Sequence, residues 1–164
     1  MKKFAFTIIA TGLDPNADHV MDRFFEAGCD DATIAFQKGV ILLDFDREAK
    51  SFARAITSAI RNVQAAGARV RHVEPDHLVS LSDIAARAGL TRAAVSHYAN
   101  GERGKEFPAP VARVTTESPL WSWVDVARWF FRQRRISRAE VVKARVVQRV
   151  NATIARTDRD RLAA

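Results

Sequence analysis

Two short helical periods separated by one glycine constrain this chain more than any other feature in it. The run Val79-Ser80-Leu81-Ser82-Asp83-Ile84-Ala85-Ala86-Arg87-Ala88-Gly89-Leu90-Thr91-Arg92-Ala93-Ala94-Val95-Ser96-His97-Tyr98-Ala99-Asn100-Gly101 carries apolar residues at helical spacing on both sides of Gly89. Ser82 is expected to cap a first helix that stops at Gly89, and Thr91 a second that ends near Asn100 and Gly101. Helices joined so tightly must cross steeply, with little room where they touch. Ala85 is small at that approach, Gly89 permits a positive φ at the turn, and Ile84, Leu90 and Val95 are expected to fill the shared core.

Charge divides the chain close to the start of this run. Residues 1–78 hold 10 Lys/Arg against 11 Asp/Glu, whereas residues 79–164 hold 16 against 8, so the net charge of +7 lies entirely in the second half. A basic half joined to a near-neutral one points to a polyanion as the partner of the second half only. No apolar run has membrane-spanning length, and Phe4–Ala10 is too short and too soon followed by Asp14-Pro15 for a secretory signal. The expectation is a protein of the cytoplasm that makes no membrane contact.

The first half reads as an α+β unit. Phe4–Leu13 is a buried strand by composition, Asp14-Pro15-Asn16 a turn, and Asp18 the expected cap of a helix running to Ala27 and ended by Gly28. Strands over Ala32–Gln37 and Val40–Asp46 are joined by a Lys38-Gly39 hairpin turn. Ser51 caps a second helix whose Phe52, Ala55, Ile56, Ala59, Ile60 and Val63 share one face, and Ala68–Val73 is a last strand. The order βαββαβ is that of a ferredoxin-like unit, expected over residues 1–76 in a sensing or oligomerisation role. Phe36 and Phe45 are expected in its core.

Catalytic and metal chemistry find little footing. Cys29 follows Glu26 and precedes Asp30 and Asp31, surroundings that raise a thiol pKa, and it reads as a buried structural residue. Asp44 and Asp46 share a strand face, yet no further ligand spacing accompanies them. His19, His72 and His77 are scattered. Without a nucleophile–base pair, a phosphate loop or a zinc motif, the reading is a non-enzyme with no cofactor and no metal.

The stretch Leu81–Ser96, "Leu-x-Asp-Ile-Ala-x-x-Ala-Gly-Leu-Thr-x-x-Ala-Val-Ser", resembles the helix-turn-helix of the lac-repressor family and the wider repressor superfamily. The resemblance implies sequence-specific binding of double-stranded DNA, with the second helix in the major groove. It makes Thr91, Arg92, Ala93, Ser96 and His97 the contact face, with Arg92 suited to bidentate recognition of guanine and Thr91 to a phosphate. Ser82 is expected to touch the DNA backbone from the first helix. Farther on, Phe107-Pro108-x-Pro110-Val111 and Leu120-Trp121-x-Trp123-x-Asp125-Val126-Ala127-x-Trp129 are similar to the excisionase-type, MerR-related winged helix. That resemblance implies a β-wing with Arg103 and Lys105 at or near its tip, on the DNA backbone, and the tryptophans in the core.

The winged helix-turn-helix is thus expected over residues 77–134, and a basic C-terminal helix, capped at Ser137 or by the turn before it, over 135–164. Its stripe of Val141, Val142, Val146, Val147, Val150 and Ile154 must be buried against its own domain or a second subunit, so a homodimer is one expectation. A transcriptional regulator is the function these features support. The alternative is an antitoxin-like or phage-type accessory protein whose first domain binds a protein partner. In either case a small-molecule effector can act at the first domain.

Overall fold

The computed structural model describes residues 1–164. They form two compact units, Met1–Pro75 with Arg149–Ala164, and Asp76–Gln148. The fold is of mixed α and β type, with a four-stranded antiparallel sheet, a two-stranded one and six helices. No helix is long and apolar enough to cross a membrane.

The first unit runs β1 (Lys2–Thr11), α1 (Val20–Glu26), β2 (Ala32–Gln37), β3 (Val40–Ala49), α2 (Phe52–Ala65) and β4 (Arg69–Glu74). The strands lie in the order β2-β3-β1-β4, every neighbouring pair antiparallel. Along β3, Ile41, Leu43, Phe45, Arg47 and Ala49 are buried while Asp44, Asp46 and Glu48 face solvent, the alternation of a sheet with one covered face. Thr7 on β1 donates to Asp44 across that exposed face at 2.5 Å. Ser51 caps α2 by accepting from the Arg54 amide, and Phe52, Ala55, Ile56, Ala59 and Val63 are buried along one side of the helix. Each of the larger side chains contributes about 1.5–3 kcal/mol by leaving water.

Several boundaries differ from the sequence reading. The first strand spans Lys2–Thr11 rather than Phe4–Leu13, because it pairs with β3 from Lys2 opposite Ala49 to Ala10 opposite Ile41 and with β4 as far as Thr11 opposite Arg69. Asp18 does not cap α1. That helix starts after His19, which is left-handed with no side-chain cap, and Asp14 makes the preceding turn through its carboxylate and its carbonyl. β3 continues past Asp46 because Arg47 turns inward, 7% exposed. Its guanidinium makes five hydrogen bonds: two to Asp31, and one each to Ser58, Asn62 and the Gly28 carbonyl. A hydrogen bond to Asp31 raises the arginine's pKa. Cys29 is buried close by, and burial pushes its thiol up to about 11 against the opposing pull of Arg47.

The second unit runs β5 (Leu78–Val79), α3 (Leu81–Ala88), α4 (Arg92–Ala99), β6 (Trp121–Ser122) and α5 (Trp123–Arg132), and α6 (Arg138–Ala163) follows. Its core gathers Val79, Ile84, Val95, Tyr98, Trp129 and Phe130 among others, with Leu90 and Phe107 packed against them. The segment 135–164 does not stand apart. Val141 and Ala144 belong to this core, while α6 from Arg149 onward belongs to the first unit. There Asn151, 5% exposed, accepts from the Val73 amide at 2.7 Å and donates to the Val73 carbonyl at 2.9 Å. A single side chain thereby does for edge strand β4 what a neighbouring strand would do. Most of the valine stripe is covered within the chain; Val142, 47% exposed, is the exception.

Candidate nucleic-acid interface

The geometry of α3 and α4 follows from their caps. Ser80 precedes α3 in extended backbone, accepts from the Asp83 amide at 3.2 Å and donates its own amide to the Asp83 carboxylate at 2.9 Å. This reciprocal box needs an acid three residues after the cap. Ser82 is already the second residue of α3, which starts at Leu81, so Ser82 is not the cap. It lies exposed within the first turn of α3. Gly89 closes α3 at φ 66°, and the Leu90 amide returns to the Ala85 carbonyl at 2.9 Å. Thr91 then caps α4, its hydroxyl accepting from the Ala94 amide at 3.1 Å.

These caps fix which side of α4 faces out. Val95 and Tyr98 are buried, whereas Thr91, Arg92, Ala93 and His97 are exposed and Ser96 is half-buried. The five residues read from the sequence as a contact face therefore lie together on the outer side of α4 and at its start. Asn100 extends the row by donating to the Ser96 hydroxyl at 3.4 Å. The Glu102 carboxylate pairs with His97 Nδ1, which ties the end of this face to the following loop.

That loop is moulded on aromatic rings. Tyr98, Phe107, Trp129 and Phe130 meet mostly edge to face, with centroids 5.1–6.3 Å apart. The Trp129 indole donates to the Lys105 carbonyl at 2.8 Å, and the Trp121 indole to the Pro108 carbonyl at 3.0 Å. Gly104, at φ 71°, lies so close that a Cβ there would sit 2.9 Å from the Trp129 ring. The Arg103 guanidinium stands 6.0 Å from the Tyr98 ring centre. Trp123, buried, has Arg87 over its face at 5.2 Å. The tryptophans are core residues.

Arg103 and Lys105 are exposed, but they do not occupy the tip of a β-hairpin. The chain doubles back later: Val111 and Ala112 both donate to the Leu120 carbonyl, and Leu120 donates to Ala112. The reversal carries exposed Arg113 through Ser118. The Gly-rich stretch at 101–104 drew the expected tip forward, yet its backbone is committed to Tyr98 and Trp129. Arg113 is the basic residue that the reading missed. The signal was the polar Thr115-Thr116-Glu117-Ser118-Pro119 between Val111-Ala112 and Leu120-Trp121. Arg128, Arg132, Arg134, Arg135 and Arg138 add a run of exposed cations along and after α5.

Compared with known protein families, with characterised proteins and with solved structures, the chain matches none.

Proposed function

We propose that this chain is a sequence-specific double-stranded DNA-binding protein, a cytoplasmic transcriptional regulator. In this reading α3 and α4 act as a helix-turn-helix, with α4 entering the major groove. The outer face of α4 carries the reading. Arg92, Ala93, Ser96 and His97 stand at the spacing of adjacent helical turns, on a helix whose other side is held by buried Val95 and Tyr98. A fixed helix with a forked donor in its first turn suits a groove that offers paired acceptors on guanine. The Val111–Leu120 reversal supports a winged form of the motif. Arg113, at the base of that reversal just past the Ala112–Leu120 bridge, would then follow phosphates, with Arg103 and Lys105 doing so from the loop before it. The strand order β2-β3-β1-β4 supports a ferredoxin-like first unit.

Met21 and Phe25, 49% and 66% exposed, lie one helical turn apart on α1. They favour a protein contact by the first unit. In a regulator that contact makes a homodimer; in the second reading, an antitoxin-like or phage-type accessory protein, it grips another protein. The mass of the complex purified from its native cells separates the two.

The DNA-binding reading is tested by selecting duplexes from a random pool and measuring anisotropy on a selected and a scrambled duplex across a salt series. Arg92→Ala is expected to lower discrimination by about 1–3 kcal/mol, whereas Arg113→Ala weakens both duplexes alike and lowers the salt slope by about one. Absence of salt-dependent duplex binding by the full chain overturns the proposal.

A further inference from the structure

The first unit contains a cleft of about 780 Å³ between α2, β4 and the second half of α6. Its lining divides sharply by chemistry. Ile60, Val70, Val150 and Ile154 give it apolar walls, and four arginines, Arg61, Arg69, Arg149 and Arg161, stand in its lining. Asp158 is the only carboxylate in the lining, and Arg69 already holds it at 2.7 Å, with Arg71 at 3.9 Å. The cleft therefore carries surplus positive charge beside an apolar surface. One further donor is idle: Arg69 Nε is shielded from solvent and has no hydrogen-bond acceptor. An unpaired buried donor costs free energy until an acceptor reaches it.

We propose that this cleft binds a small amphipathic anion, a monocarboxylate with an apolar chain or ring. The apolar body lies on Ile60, Val70, Val150 and Ile154, and the carboxylate is held by the surrounding arginines, which match its planar two-oxygen geometry. Neither half of the lining suffices alone. An inorganic anion leaves the apolar walls in water, and an uncharged apolar molecule leaves the guanidinium groups without a counter-charge. Thr57, Gln64, Thr153 and Thr157 complete a polar lining suited to a ligand with one wet end. The site lies wholly in the first unit and does not depend on DNA binding by the second.

The test is calorimetric titration of the full chain with octanoate, decanoate and dodecanoate, each below its micelle concentration, beside octan-1-ol and inorganic phosphate. The expected result is saturable one-site binding of the carboxylates that tightens with chain length. Octanol and phosphate should each bind on the order of tenfold more weakly than octanoate, or not at all. Arg61→Ala and Arg149→Ala, at exposed positions, should weaken binding by about tenfold together while leaving the circular dichroism unchanged. Thr153→Trp, which fills the cleft from the exposed side of α6, should abolish it. No saturable binding of any of the three carboxylates overturns the proposal. So does phosphate binding as tightly as octanoate, which marks a plain cationic surface, or octanol binding as tightly, which marks a plain apolar one. Binding that survives all three substitutions overturns it as well.

Discussion

Gly89 and Gly104 both have positive φ in the second unit, but their surroundings differ, and alanine at each should separate backbone cost from packing cost. At Gly89, φ is 66° and a Cβ would meet nothing within 4 Å. The penalty is then that of a left-handed L-residue alone, about 1–2 kcal/mol, reduced by a few tenths as alanine stiffens the unfolded chain. At Gly104 the φ of 71° carries a similar cost, and the Cβ also lands 2.9 Å and 3.1 Å from two atoms of the Trp129 ring and 3.3 Å from Tyr98. Trp129 is 2% exposed and held by its bond to the Lys105 carbonyl, so it has little room to retreat. Overpacking of this kind adds about 1–3 kcal/mol. Gly104→Ala should therefore destabilise the unit by about 2 kcal/mol more than Gly89→Ala. Urea unfolding followed by tryptophan fluorescence measures this, because Trp121, Trp123 and Trp129 are the chain's only tryptophans and all lie in the second unit. Equal losses at the two sites, or a loss above about 3 kcal/mol at Gly89, would refute the reasoning.

Asn151→Ala removes the partner of both Val73 backbone groups at a buried position. It is expected to cost about 1–3 kcal/mol for each group left unpaired, read from the far-ultraviolet unfolding transition, with Asn151→Asp rescuing only the bond from the amide. Arg47→Leu leaves Asp31, Asn62 and the Gly28 carbonyl without their shared donor. Asp31 keeps 29% of its side chain exposed, so water can recover part of the loss and the expected cost is about 3 kcal/mol, at the low end for a broken buried pair. Cys29, with its folded-state pKa raised to about 11 from 9.0, holds its proton in the folded chain while the unfolded chain has lost it. Its contribution to stability is complete below pH 9 and disappears between pH 9 and 11. Cys29→Ser should flatten the alkaline decline over that window, and native protein at pH 8 should resist alkylation until it is unfolded.

The local signals were legible wherever a short stretch of chain decided the outcome. Both helices flanking Gly89, the Thr91 and Ser51 caps, the Lys38-Gly39 turn and the order of elements in the first half follow from spacing, capping chemistry and turn residues. These depend on neighbours within about one helical turn or one strand pair. The outward row of Arg92, Ala93, Ser96 and His97 was equally readable, since the buried positions of α4 fix the exposed ones. Ser80 escaped because Ser82 is the same residue type two places later. The carboxylate three residues after Ser80, which completes a capping box, is the local sign that favours it.

What the tertiary structure alone decided has one cause: the partner lies far along the chain. Arg47 reads as the end of a strand until Asp31, Ser58 and Asn62 surround it. Asn151 reads as a polar interruption of a valine stripe until Val73, 78 residues away in sequence, offers it an amide and a carbonyl. Arg103 and Lys105 read as a hairpin tip until Tyr98 and Trp129 claim Gly101 and Gly104, and the chain reverses only later, between Ala112 and Leu120. The cleft of the first unit exists only because α6 reaches α2 and β4. Sequence determined which short segments form and which way they face. Their long-range pairing, and the charges it leaves without a counterpart, came from the packing of segments that no local period connects.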